Sequence, residues 1–171
     1  MTETLPIIYR DEYMVAINKP GGLLVHRSEI DRHETRFAVQ LLRDQIGQQV
    51  FPIHRLDKPT SGVLVFALSS EIARLLGEIF TRHELEKTYV ALVRGFSPEA
   101  GVIDHALVEE LDKYTDKKAR TDKPAQPAVT AFKTLAQVAF PFSIDKYPCR
   151  RYSLVQCNPR TGRKHQIRRH M

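Results

Sequence analysis

Residues Gly62 to Leu68 form an unbroken apolar run, and the chain passes at once through Ser69 and Ser70 into a segment of helical periodicity. No other junction constrains the fold as tightly. An apolar run of this length predicts a strand over Val63 to Leu68 that is covered on both faces. It is far too short to cross a membrane as a helix. In the following segment Ile72, Leu75, Leu76, Ile79 and Phe80 fall at i, i+3, i+4, i+7 and i+8. That spacing puts one apolar stripe on a helix. Ser69 and Ser70 supply hydroxyl oxygens for its first amides. Arg82 and His83 stand at its far end, where positive charge suits the helix dipole. A strand delivered directly into such a helix requires helices layered on a sheet.

The rest of the chain fits that architecture. Leu5 to Tyr9 and Tyr13 to Asn18 read as short strands joined at Arg10-Asp11-Glu12, followed by a turn at Lys19-Pro20-Gly21-Gly22. Leu23 to Val25 reads as a short strand. Thr35 to Ile46 reads as a helix, with Phe37, Ala38, Leu41, Leu42 and Ile46 on one stripe and Gly47 as its stop. Thr88 to Val93, Ala128 to Ala139 and Tyr152 to Cys157 are further strands. Glu109 to Pro127, dense in charge and proline, reads as a surface excursion. The 171 residues carry no repeat and no linker and predict a single domain, residues 1–171. The fold class is α+β, or mixed α/β, with one central sheet. The chain ends at RKHQIRRHM, inside a periodic charged segment, which reads as a piece of a longer protein.

Charge narrows the choice of partner. The net charge is +6, and from Lys146 to Met171 eight Lys or Arg stand without one carboxylate. A field of one sign attracts polyanions, of which nucleic acid is the commonest; the plainer reading is a solvated basic segment beside an acidic neighbour. The two cysteines, Cys149 and Cys157, form no CxxC and read as buried thiols. The first residues, MTETLPIIYRDEY, have neither a signal core nor an Arg-rich presequence, which predicts a cytoplasmic, reduced protein. GxxxxGK[ST], GxGxxG and GxSxG are all missing, and His165 and His170 are spaced unlike HExxH. Neither a nucleotide cofactor nor a catalytic metal is expected.

The most informative stretch is His54-Arg55-Leu56-Asp57-Lys58-Pro59-Thr60-Ser61-Gly62. One carboxylate stands among three potential cations, His54, Arg55 and Lys58, at the mouth of the apolar run. Nearby positive charge favours the ionised form of a carboxylate. An ionised Asp57 in a cleft is a nucleophile, a base or a salt-bridge anchor, and composition alone favours the last. In Thr161-Gly162-Arg163-Lys164-His165-Gln166-Ile167-Arg168-Arg169, Gly162 is placed to open a helix whose amides face an anion. Arg163 and Arg168 suit bidentate contact with phosphate or carboxylate. Tyr89, in Lys87-Thr88-Tyr89-Val90, reads by itself as cross-strand packing.

Taken together, four stretches resemble one family, the RluA-type pseudouridine synthases. HRLDKPTSGVLVFA resembles its signature HRLDxxTSG, INKPGGLLVH its N-terminal motif, KTYVALVRG its Tyr motif, and NPRTGRKHQIRRHM its TGRxHQIR motif. They occur in the family's order. The resemblance implies the pseudouridine synthase fold, with a curved, largely antiparallel central sheet, flanking helices and an RNA-binding cleft. It assigns Asp57 as the catalytic nucleophile, Tyr89 to pack on the target uracil, and Arg168 to pair with the catalytic Asp. It gives Arg55 the space left by the extruded uridine and sets Leu56 and Ile167 in the pocket wall. His54, Arg163, Lys164 and His165 fall among the expected RNA contacts. Finer stretches, VHRSEIDRHE, RDQIGQQVF and LVEELDKYTDKKAR, are similar to a branch acting on tRNA at uridine 65. A monomer without cofactor is implied. The family continues past HQIRxH into a GxPIxGDxxYG segment and further strands, which this sequence does not contain.

The implied reaction breaks the N1–C1′ bond of uridine, turns the uracil and joins C5 to C1′. No atom is gained or lost and no redox change occurs, so no cofactor is required. Whether the carboxylate attacks C1′ or C6, or first takes a sugar proton, stays open at this level. Two other readings compete: a glycosidase pair of Asp57 with Asp104 or Glu86, and an RNA-binding module or inactive fragment without turnover.

Overall fold

The structure is a computed structural model that describes residues 4–27, 33–82, 85–109, 124–142 and 149–171. Its described residues fall into two compact units, the first running through Leu85 and the second beginning at Glu86. The α+β expectation holds, and the strands of the described residues lie in two four-stranded antiparallel sheets. Strand pairing stays within each unit.

In the first unit the sheet order is β1 (Ile7–Arg10), β2 (Met14–Lys19), β4 (Gly62–Ala67), β3 (Phe51–Pro52). The turn between β1 and β2 is closed by Asp11. Its Oδ1 accepts from the amides of Tyr13 and Met14 at 2.8 and 2.7 Å, and its Oδ2 from the Tyr9 hydroxyl at 2.8 Å. Period-two alternation then sets Val15, Ile17 and Lys19 on one face of β2, opposite Phe66, Leu64 and Gly62 of β4. All of these but Gly62 are buried, and they form the core together with Phe37, Ala38 and Leu42. The reading of β4 as covered on both faces is corrected: Val63, on the opposite face, is 56% exposed.

Helix α1 (Ala38–Ile46) begins three residues later than its periodicity suggests. The amides of Ala38 and Val39 donate to the carbonyls of Leu24 and Val25 at 2.8 and 3.1 Å. For the same reason Leu23 to Val25 is not a strand. Its carbonyls cap the helix, and only an isolated bridge joins Leu24 to Phe37. Gly47 ends α1 in the left-handed conformation, as expected. Helix α2 (Ser70–Thr81) begins where predicted, with Ser69 Oγ accepting from the Ile72 amide at 3.2 Å. Its apolar stripe is only part-covered: Leu75 is 42% and Ile79 37% exposed.

In the second unit the order is β5 (Tyr89–Arg94), β8 (Arg150–Pro159), β7 (Val129–Phe140), β6 (Ala100–Asp104), with a bulge in β7 between Thr134 and Ala136. The unit ends in the five-residue helix α3 (Gln166–His170). Cys157 is buried on β8, and burial pushes its thiol pKa up; Cys149 is half-buried. His83 and residues 110–123, the greater part of the expected excursion, lie outside the described residues. Paired backbone bonds of 2.9 Å between Leu107 and Gln126 flank that segment. Among the described residues no helix is long and apolar enough to cross a membrane, and no group of three His, Cys, Asp or Glu side chains is placed to hold a metal.

Candidate active site

In the first unit two loops meet at Asp57. One is the turn Asp57-Lys58-Pro59-Thr60, closed by the Thr60 amide donating to the Asp57 carbonyl at 3.0 Å. The other is Lys19-Pro20-Gly21-Gly22, at the end of β2. The Gly22 amide donates to the Lys58 carbonyl at 2.7 Å. A Cβ on Gly21 would lie 3.2 Å from the Pro59 carbonyl oxygen, so the close approach of the two loops favours glycine there. Gly62 opens β4 at φ +127°, a conformation that side chains other than hydrogen rarely adopt. The chain thereby turns from the Asp57 loop into the central strand.

Beneath both loops lies Lys19, with 0% exposure. Its Nζ donates to the carbonyls of Leu23 at 2.7 Å, Pro20 at 2.9 Å and Lys58 at 3.3 Å. Burial lowers the Lys19 pKa, and the charge of Asp57 opposes that effect. Sequence reasoning passed Lys19 over. Its signal was the period-two register with Val15 and Ile17, which sends a lysine into the core.

The cations adjacent in sequence to Asp57 are arranged differently from a simple cluster. The His54 ring stacks on Phe80 of α2 with centroids 5.0 Å apart, and its Nε2 accepts from the Val65 amide at 3.2 Å. Lys58 pairs with Glu34 at 2.7 Å. Arg55 is exposed, Leu56 buried and Asp57 half-buried. Asp57, Arg55 and His54 therefore share one loop of the first unit, with His54 packed on α2.

The remaining predicted residues belong to the second unit. Tyr89, at the start of β5, is half-buried and sits opposite Cys157 in β8. Asn158 anchors the approach to it, donating from Nδ2 to the Lys87 carbonyl at 3.2 Å and to Thr88 Oγ1 at 2.9 Å. Arg168 is exposed on α3. Ile167, Arg163 and His165 are half-buried and Lys164 exposed. Arg163 Nε donates to the Pro127 carbonyl at 3.0 Å. Gly162 does not open a helix: α3 starts four residues later, after His165 at φ 55°. The glycosidase candidates Asp104 and Glu86 are also in this unit.

Gln166 explains the delayed start. It is buried, and both ends of its amide are engaged. Oε1 accepts from Thr161 Oγ1 at 2.8 Å and from the Arg163 amide at 3.0 Å. Nε2 donates to the Val129 carbonyl and to Thr130 Oγ1, each at 3.0 Å. Thr130 Oγ1 also meets His170 Nδ1 at 2.9 Å, while His170 Nε2 lies 3.1 Å from the His105 carbonyl. One side chain thus ties the basic loop 161–165 and helix α3 to β7. The backbone of this loop is held by that network.

Comparison with known proteins identifies the company this chain keeps. The family model described as RNA pseudouridylate synthase matches residues 13–171. The tRNA pseudouridine synthase C of Vibrio parahaemolyticus is 62% identical over 167 residues, which is 98% of this chain and 68% of that protein. The protein of the same name in Haemophilus influenzae is 54% identical over 98% of this chain and 70% of its own length. Human RNA Pseudouridylate Synthase Domain Containing 4 superposes with a TM-score of 0.68 at 30% identity, covering 95% of this chain and 62% of that one. Human RNA Pseudouridylate Synthase Domain Containing 1, at 24% identity and a TM-score of 0.74, shares the fold over 99% of this chain and 65% of its own. The chain therefore spans about two thirds of the length of these four proteins.

Proposed function

From the premise that this chain belongs to the RNA pseudouridylate synthase family, we propose that it isomerises uridine to pseudouridine in tRNA, at position 65, with Asp57 as the nucleophile. The observation that carries this reading is the Asp57 loop itself. A half-buried carboxylate stands on a tight turn, pinned to a second loop, with a buried ammonium coupled to it through charge. A carboxylate held in place is what nucleophilic attack on the nucleoside requires. The N1–C1′ bond breaks, the C5–C1′ bond forms, and the hydrogen on C5 leaves as a proton that water or a base accepts. N1 ends protonated, so the atoms balance.

The target base must first leave its stack, at a cost of a few kcal/mol. Arg55, exposed beside Asp57, enters the vacated space. Tyr89 packs on the uracil, and stacking of this kind returns ~1–3 kcal/mol. For Arg168 the proposed role is the one the family resemblance gives it, basic partner of the catalytic Asp. Arg163, Lys164 and His165 meet the phosphate backbone, which supplies affinity more than sequence choice. His54 supports the Asp57 loop from beneath through Phe80 and Val65 and borders the RNA.

The experiment uses tRNA transcripts carrying tritium at uracil C5. Asp57→Ala is expected to abolish tritium release while RNA binding persists, and a transcript with cytidine at position 65 is expected to release none. Release that survives in Asp57→Ala refutes the mechanism. Salt-sensitive binding by the wild-type chain with no release at all would instead support an RNA-binding chain without turnover.

A further inference from the structure

Strand β5 begins at Tyr89 itself, and the reason lies in its partner strand. In the antiparallel ladder between β5 and β8, Tyr89 stands opposite Cys157, Ala91 opposite Val155 and Val93 opposite Ser153. The Gly95 amide donates to the Arg151 carbonyl at 2.8 Å, two residues beyond Val93 in the same register. Bonded pairs recur at every second residue of such a ladder. The series of Gly95 with Arg151, Val93 with Ser153, Ala91 with Val155 and Tyr89 with Cys157 therefore leads next to Lys87 opposite Pro159. There the Lys87 carbonyl calls for an N–H at position 159, and proline has none. Asn158 supplies the donor from its side chain. Its Nδ2 donates to the Lys87 carbonyl at 3.2 Å and to Thr88 Oγ1 at 2.9 Å, which uses both amide protons. Its Oδ1 accepts from Gln156 Nε2 at 3.1 Å, so the direction of the amide is fixed as well.

We propose that Asn158 is a positioning residue for Tyr89: its side-chain amide stands in for the main-chain donor that Pro159 lacks, and so holds the two residues that lead into Tyr89. The catalytic meaning rests on the reading of Tyr89 given above, as the ring that packs on the uracil; the stand-in donor does not. The end of a strand is where local opening is easiest, and a ring carried there moves with the backbone beneath it. A displacement of about 1 Å in a group that positions substrate costs about 100-fold in rate. An asparagine serving only as polar surface has no reason to commit its whole amide to a carbonyl on the next strand, a hydroxyl and a neighbouring side chain.

Measurements on the full chain separate positioning from plain stability. In the wild-type protein the Asn158 Nδ2 protons are expected to exchange with solvent more slowly than those of exposed asparagines and glutamines; equal exchange overturns the proposal. In Asn158→Leu, which keeps the volume and removes donors and acceptor, amide exchange at Tyr89 is expected to accelerate about tenfold, the size of one lost hydrogen bond. The Val93 amide, further along the same strand, is the control and is expected to hold. No change at Tyr89, or equal acceleration at both, overturns the proposal. Pro159→Val returns a main-chain N–H opposite Lys87. Added to Asn158→Leu, it is expected to bring exchange at Tyr89 back to within about threefold of wild type; acceleration that persists while Val93 holds overturns the stand-in role. In the tritium assay Asn158→Leu is expected to lose about 10- to 100-fold in kcat with KM within about threefold, and Pro159→Val to restore most of that loss. An unchanged kcat, or a loss that the added N–H leaves untouched, overturns the positioning role. Tyr89→Leu tests the reading beneath it: if that variant releases tritium at the wild-type rate, the reading of Tyr89 fails, and the exchange measurements still decide the stand-in donor.

Discussion

Replacing Gln166 by Met keeps the volume of the side chain and removes its polar end. The four partners do not suffer equally. The Val129 carbonyl retains the Arg160 amide at 2.9 Å, and Thr130 Oγ1 retains His170. The Thr161 hydroxyl and the Arg163 amide lose their acceptor, and both residues are half-buried. An orphaned buried donor costs ~1–3 kcal/mol, and partial exposure places these two toward the low end, giving about 2–4 kcal/mol together. For a chain of this size each kcal/mol lowers Tm by ~2–4 °C, so Gln166→Met is expected to melt about 4–16 °C below wild type in calorimetry. Gln166→Glu removes the other half of the network. It keeps an acceptor for Thr161 and Arg163 but sets a second oxygen against the Val129 carbonyl. Protonation restores one donor there, so the deficit of Gln166→Glu is expected to shrink as pH falls. A Gln166→Met variant melting within about 1 °C of wild type would refute the reasoning that this amide holds the basic loop to β7.

Two further outcomes follow from local geometry. Amide and hydroxyl donors hold the Asp11 carboxyl below its ordinary value of 3.8, the Met14 amide contributing most, then the Tyr9 hydroxyl and the Tyr13 amide. Its stabilising contribution is therefore present above about 3.8 and lost as pH falls through the lower folded-state value; urea titrations of wild type and Asp11→Ala are expected to differ at neutral pH and converge in acid. His165→Gly removes a left-handed strain of ~1–2 kcal/mol, at φ 55°, against a glycine entropy cost of ~0.5–1 kcal/mol. Its Tm is expected to equal or exceed wild type while tRNA affinity falls; lower Tm with unchanged affinity would show that the ring serves packing and not RNA.

What could be read from the sequence divides by the range of the interactions involved. Helix α2 was legible because its cap and its stripe are both local: Ser69 and Ile72 are three residues apart, and the apolar positions repeat within two turns. The start of α1 was not, because the groups that cap it, Leu24 and Val25, arrive from fourteen residues upstream and leave no mark at Thr35. Gly162 misled for a related reason. A glycine before a basic periodic segment is a fair signal for a helix start, but the buried amide of Gln166 binds the preceding loop and delays the helix.

The site shows the same division more sharply. The chemistry-bearing residue types were legible, since Asp57, Arg55 and the 161–169 segment stand in recognisable strings. Their surroundings were not. Reading charge along the string gave Asp57 three cationic neighbours, His54, Arg55 and Lys58. In the folded unit the His54 ring stacks on Phe80, and Lys58 extends to Glu34. A buried cation coupled to Asp57 is Lys19, delivered by strand β2. Adjacent residues on a loop diverge, whereas residues on paired strands are brought to a fixed register. Lys19 stands opposite Gly62, and Gly62 closes the loop that holds Asp57. The register of β2 against β4 thus couples a lysine to a carboxylate 38 positions away. A shift of that register by one residue would turn Lys19 to the other face and Val15 and Ile17 out of the core with it. Core packing and the environment of Asp57 are accordingly fixed by a single strand alignment.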